Sequence, residues 1–189
     1  MAKFTLQSRS ALERYIMSFD GVTLKEVADF GLVSIAAPIG GEKKLIQAVK
    51  KSYGCDLPAV GSSDVSKNSE LRMLGLQPGQ WFAFFPHAGD DALSSVSEKL
   101  GMGGYYTDQS DSWAVLEISG ERAREALERI CPLDLHPTAF PKGAVSRTVM
   151  EHLGVINLRT GEDTFTLMSA RSSAQSFLHA VETSIRNVI

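Results

Sequence analysis

Cys131 and His136 are the residues whose types and spacing come nearest to chemistry. On one reading Cys131 is a thiol nucleophile or ligand, and His136 its base or co-ligand. Both lie in Cys131-Pro132-Leu133-Asp134-Leu135-His136-Pro137-Thr138-Ala139-Phe140-Pro141-Lys142-Gly143, a stretch holding three of the seven prolines. Each proline fixes φ, removes a donor and disfavours α conformation in the residue before it, so the stretch is expected to be ordered but neither helix nor strand. A reactive thiol needs a helix N-terminus or a nearby cation. Cys131 ends a helical pattern instead, where the dipole opposes a thiolate. The favoured reading is structural: Cys131 closes an apolar helix face, Leu133 and Leu135 pack beneath the loop, and His136 is a satisfied or surface imidazole.

Other groups admit a similar pair of readings. Asp90-Asp91 could be a carboxylate pair for acid–base work, but capping a helix N-terminus explains both residues. Lys43, Lys44, Lys50 and Lys51 could bind phosphate or a folate tail, whereas a charged helix face is ordinarily just solvated. Ser119-Gly120 could offer backbone N–H groups to an anion. Asp134 could orient a ligand amine or accept bonds from its own loop, the second being favoured. Arg171 could clamp a carboxylate or pair with a neighbour. The histidines His87, His136, His152 and His179 are far apart, without metal-ligand spacing. Gly101-Met102-Gly103-Gly104 follows a helix rather than a strand, so it fails as a dinucleotide fingerprint. No residue is assigned as catalytic, cofactor-binding or metal-ligating.

The elements that would position these groups follow from periodicity. Ser8 to Met17 carries Leu12, Tyr15 and Ile16 at helical spacing, with Ser8 or Ser10 as cap, and Asp20-Gly21 breaks the helix. Residues 1–31 therefore read as an N-terminal arm. Leu32 to Ala37 is a buried strand, followed by a helix with Leu45, Ile46, Val49 and Tyr53 on one side, ended by Gly54. Leu57 to Ser69 is a loop by composition. Leu71 to Leu76 and Trp81 to Phe85 form a hairpin, and the aromatics on both faces of the second strand predict cover on both sides, by an inner sheet or a subunit contact, the first being favoured. A helix over Leu93, Val96 and Leu100 and a strand over Tyr105 to Ser110 complete the order of a ferredoxin-like, split βαβ unit. Trp113 to Ile118 is again a strand, and Ala123, Ala126, Leu127 and Ile130 mark a helix. Three strands follow, Ala144 to Met150, Gly154 to Arg159 and Asp163 to Ala170. A last helix carries Ala174, Phe177, Leu178, Val181 and Ile185, capped by Ser172 or Ser173. The expected fold class is α+β: one compact domain, 32–189, made of two ferredoxin-like lobes, 32–110 and 111–189. Residue-level repetition is not detectable, so the duplication is one of element order.

Composition narrows the function classes. A chain of 189 residues that is 43% hydrophobic and 22% charged fits a globular protein able to bury its own core. The net charge of −3, without a long block of either sign, leaves no electrostatic footprint for nucleic acid or an anionic membrane. No apolar run approaches the length that spans a bilayer. Met1-Ala2-Lys3-Phe4-Thr5 lacks a signal core, and Cys55 and Cys131 are the only cysteines, so a cytoplasmic location with reduced thiols is expected.

The run Gly120-Glu121-Arg122-Ala123-Arg124-Glu125-Ala126-Leu127, then Cys131 to His136, then Phe140-Pro141-Lys142-Gly143-Ala144, resembles the gamma subunit of bacterial heterotetrameric sarcosine oxidases. Asp163-Thr164-Phe165, Arg171-Ser172-Ser173-Ala174 and Phe177 extend the likeness, which is strongest over residues 113–182. Towards the N-terminus it rests on Gly75-Leu76-Gln77-Pro78-Gly79-Gln80-Trp81 and on the order of segments. The resemblance implies a fold like the folate-binding domain of aminomethyltransferases. It also implies an accessory, non-catalytic role in a complex that oxidatively demethylates sarcosine to glycine and passes the one-carbon unit to tetrahydrofolate. The expected partners are the alpha, beta and delta subunits, with FAD, FMN, NAD and tetrahydrofolate held on those chains and none on this one. An alternative is a free-standing folate-binding or aminomethyltransferase-like protein. Substrate choice, including another N-methyl amino acid, would reside in another chain.

Overall fold

The computed structural model describes residues 9–189. Its elements are β1 (Ile16–Phe19), β2 (Val22–Glu26), β3 (Phe30–Ala36), α1 (Glu42–Tyr53), β4 (Ser63–Val65), β5 (Arg72–Gln77), β6 (Gln80–Pro86) and α2 (Ala92–Leu100) in the first half. The second half has β7 (Tyr105–Asp108), β8 (Trp113–Ser119), α3 (Ala123–Glu128), β9 (Val145–Met150), β10 (Leu153–Arg159), β11 (Thr164–Ala170) and α4 (Ala174–Arg186).

Adjacent buried aromatics explain how these elements stack. Successive strand residues point to opposite faces, so Trp81 and Phe82, both buried, require cover on each side of β6. Trp81 packs with Val33, Ile35, Leu45, Val49 and Val96 beneath α1 and α2. Phe82 packs instead with Leu32, Leu74, Val115, Ile156 and Met168, strand residues from both sheets. Beyond the second sheet, Leu116, Ile118, Leu127, Phe165 and Phe177 form a further core under α3 and α4. The layers run helices, sheet, sheet, helices.

Both sheets are antiparallel throughout, in the orders β4-β5-β6-β3-β7 and β1-β2-β8-β11-β10-β9. The first is the ferredoxin-like arrangement with β4 added at an edge, a strand hidden in a segment whose composition reads as loop. The second repeats it position for position, β9, β10, β11 and β8 standing where β4, β5, β6 and β3 stand. The place of β7, however, is taken by β2, which comes from the other end of the chain. The two sheets are also stitched where β4 and β9 begin: Ser63 N–H donates to Gly143 O at 2.8 Å and Val145 N–H to Gly61 O at 3.1 Å.

The expected helix over Ser8 to Met17 is not formed; Ser8 lies outside the described residues. Glu13 and Arg14 adopt φ of 56° and 58°, and the chain enters β1. A helix this short is marginal in isolation. Here the backbone groups find other partners, because the Glu26 carboxylate accepts the N–H of Leu12 at 2.9 Å and of Arg14 at 2.7 Å. Asp20-Gly21, expected to break a helix, is the two-residue turn of a hairpin with Phe19 opposite Val22, a position that suits Asp-Gly. Ile16–Phe19 and Val22–Glu26, within the stretch read from the sequence as an arm, are strands of the six-stranded sheet.

Gly120 is required by a close approach. Its φ is +122°, and a Cβ there would lie 2.3 Å from the Gly21 carbonyl oxygen. It lets the start of α3 sit directly on the β1–β2 turn.

Candidate functional site

The Pro-rich stretch is irregular, as expected, and its side chains serve the loop itself. Cys131 and Leu135 are buried in the core under α3 and α4. Burial pushes the Cys131 thiol pKa up, against smaller opposing hydrogen bonds from Leu133 and Thr148. Asp134 Oδ1 accepts the His136 N–H at 2.9 Å, the local turn bond favoured for it. His136 is exposed, with Nδ1 2.8 Å from Thr138 Oγ1 rather than near the thiol. The nucleophile-and-base pairing is not assembled.

What fastens the loop is Arg159, which the sequence reading passed over. Only 2% exposed, its guanidinium donates to the carbonyls of Phe140 at 2.9 Å and Leu135 at 3.2 Å. It also donates to Gly161 and Glu162 in the β10–β11 turn and lies over the Phe165 ring, 5.2 Å from its centroid. The available signal was a lone charge ending the apolar run of β10.

The remaining candidates scatter. Asp91 precedes α2 and Ser173 precedes α4, and neither side chain makes a capping bond. Asp91 Oδ1 instead lies 2.9 Å from His87 Nε2. At Ser119-Gly120 the backbone donors are already spent: Gly120 N–H donates to Asp163 O and Arg122 N–H to Gly21 O. Lys50 pairs with Asp56 at 3.0 Å. Cys55 is buried, its thiol pushed up to about 11 mainly by burial and then by Asp64. Among the described residues no three His, Cys, Asp or Glu side chains are placed to hold a metal.

One cleft, of about 430 Å³, lies between the lobes and gathers Arg14, Glu26, Asp29, His87, Asp111 and Arg171. Its charges mostly face one another. Arg14 forms a two-bond pair with Asp29, both at 2.8 Å, which holds the Asp29 carboxyl below its usual range. Glu26 is engaged by the backbone of the 12–14 turn, and Arg171 donates to the Arg9 carbonyl. Arg171, expected either to clamp a carboxylate or to pair with a neighbour, therefore closes the cleft with the chain's own backbone. Such an array can order the turn across the lobes; it presents few open donors to a ligand.

Comparison with known proteins bears on the fold and the family. A family model described as the sarcosine oxidase, gamma subunit family matches residues 40–185. The sarcosine oxidase subunit gamma of Corynebacterium sp. (strain P-1) is 29% identical over 84% of this chain and 77% of its own length. That of an Arthrobacter species is 30% identical over 76% of this chain and 70% of its own length. A chain of the heterotetrameric sarcosine oxidase from Corynebacterium sp. U-96, solved with pyrrole 2-carboxylate, superposes with a TM-score of 0.80, at 26% identity and 95% coverage of both chains. The glycine cleavage system aminomethyltransferase T of Bartonella henselae shares the fold, with a TM-score of 0.62 and 13% identity over 85% of this chain and 45% of that one. Among the described residues no helix is long and apolar enough to cross a membrane. The chain belongs to the sarcosine oxidase gamma subunit family.

Proposed function

We propose that this protein is the accessory, non-catalytic subunit of a complex that oxidatively demethylates sarcosine to glycine and delivers the one-carbon unit to tetrahydrofolate. On this reading its partners are the alpha, beta and delta subunits. FAD, FMN, NAD and tetrahydrofolate are held on those chains, and the assembly works in the cytoplasm. A flavin on another subunit would supply the two-electron oxidant for the N-methyl group, and tetrahydrofolate there would accept the carbon as its bond to nitrogen breaks and glycine leaves.

The observation that carries the reading is the self-paired interlobe cleft: Arg14 with Asp29, Glu26 with the 12–14 backbone, and Arg171 with the Arg9 carbonyl. A binding site needs convergent polar groups left open to its ligand. The two thiols give no nucleophile, since burial raises both pKa values. Exposed apolar side chains supply contact surface instead. Tyr105 pairs with Ala36 at the end of β3, so Ile39, Met102 and Tyr105, all exposed, share that end of the first lobe.

The test is affinity purification of the chain from its native cells, with identification of co-purifying chains and an absorbance spectrum. Yellow material containing large flavin-bearing subunits supports the proposal. A colourless, solitary protein that gives saturable heat with tetrahydrofolate would replace it with the free-standing folate-binding reading.

A further inference from the structure

A second cleft, of about 710 Å³, opens on the outer side of the first lobe, where α1 and α2 end beside the loop that follows β4. The helix ends are tied together by Ser52 Oγ donating to the Lys99 carbonyl at 2.9 Å. Lys50, Lys51, Lys67 and Lys99 line this cleft against a single acid, Glu70, a local balance of +4 − 1 = +3. The chain as a whole carries −3, so the concentration runs against its composition. Lys50 is partly neutralised by Asp56. Among the described residues Lys51, Lys67 and Lys99 form no salt bridge.

Lysines in the last turn of a helix are attracted by its dipole, and this accounts for Lys50, Lys51 and Lys99. It does not account for Lys67, which belongs to no helix. Its N–H donates to the Tyr53 carbonyl at 3.1 Å and its stem lies against Gly54, so the fourth ammonium is brought to the same concavity by a separate contact. The cleft also has an apolar floor, the half-buried Phe85 over the core residues Leu71 and Val96. One of its lining residues, Tyr53, holds a buried hydroxyl without a hydrogen-bond partner. A concavity of this size with convergent charged groups is the mark of a small-molecule site.

We propose that this cleft binds a small polyanion built on a flat apolar body, the lysines taking its phosphates or carboxylates and the half-buried Phe85 ring its body. Lysine acts as a point charge without the fork of arginine, so both anion classes fit it.

The test is calorimetric titration of the full chain with ATP and, separately, with benzene-1,3,5-tricarboxylate. It is repeated on Lys67→Glu/Lys99→Glu and on Lys43→Glu/Lys142→Glu, which changes net charge equally at exposed lysines outside the cleft. Lys67→Gln/Lys99→Gln serves if the first pair misfolds by circular dichroism. The expected result is saturable binding of at least one probe, weakened about tenfold or more by the cleft substitutions and unchanged by the control pair. Preference for ATP assigns phosphate, and preference for the tricarboxylate assigns carboxylate. No saturable heat from either probe, or equal weakening in both double variants, overturns the proposal. None of these outcomes depends on whether the chain assembles with other subunits.

Discussion

Arg159 carries a charge into an apolar strand, and every hydrogen-bond acceptor it meets is a backbone carbonyl. Taking a cation out of water is costly unless its donors are satisfied, and a loop with three prolines needs its carbonyls satisfied too. Arg159→Met leaves those carbonyls without a donor, so it should destabilise the chain by roughly 2–5 kcal/mol. Arg159→Lys should recover only part of the loss, because one ammonium cannot reach both the loop and the β10–β11 turn. Urea unfolding midpoints measure both, and an unshifted midpoint for the methionine variant would refute the assignment. The thiols give a second residue-scale outcome. The folded pKa of Cys55 is raised, so its contribution is fully present below the ordinary thiol value near 9 and is lost as pH climbs towards about 11. Native Cys55 and Cys131 should resist a maleimide at pH 7 to 8 and react once the chain is unfolded; rapid native labelling would contradict the burial argument. Cys131 was legible from its place at a helix end. Arg159 was not, because one charge after an apolar run looks like a strand reaching solvent until the partner loop is folded over it.

The β9–β10 hairpin turns through Glu151 and His152, with φ of 46° and 71°, a left-handed pair that L side chains enter at a cost. The geometry demands positive φ at both central positions, for which Asn-Gly is the fitting pair. Replacing Glu151-His152 with Asn-Gly should stabilise the chain by about 1–2 kcal/mol, read as a higher melting temperature, with no gain counting against the strain. Strand β2 makes the opposite case, since it supplies the position that β7 supplies in the first lobe. Leu24 is fully buried on it, so Leu24→Ala should cost about 2–5 kcal/mol in chemical denaturation. The two ferredoxin-like orders were legible because Leu45 and Val49, or Phe177 and Val181, repeat at helical spacing while the strands alternate. The N-terminal hairpin was not, although Asp20-Gly21 carried its signal. Leu12, Tyr15 and Ile16 match a helix locally, and residues 22–26 become an inner strand only because the distant β8 supplies a second ladder beside that of β1. Likewise β4 is three residues among serines, recognisable only beside β5.

At the scale of the whole molecule, the lobes share a core rather than merely touching. Leu32, Leu74 and Phe82 from one sheet interdigitate with Val115, Ile156 and Met168 from the other. Neither sheet could lose its partner without exposing that face to water, at about 25 cal/mol for each Å² uncovered. The stitch between Ser63 and Gly143 adds a backbone link at the edge. Cooperative unfolding of both lobes follows, and the chain carries its own reporters, since Trp81 lies in the first lobe and Trp113 in the second. In Trp113→Phe the remaining fluorescence reports the first lobe, and in Trp81→Phe the second, while far-ultraviolet circular dichroism reports both at once. Within each variant the fluorescence and dichroism transitions should coincide in urea, the signature of a two-state chain. Transitions that separate in either variant would mean that one lobe survives the loss of the other, and that the shared core contributes less than its burial implies.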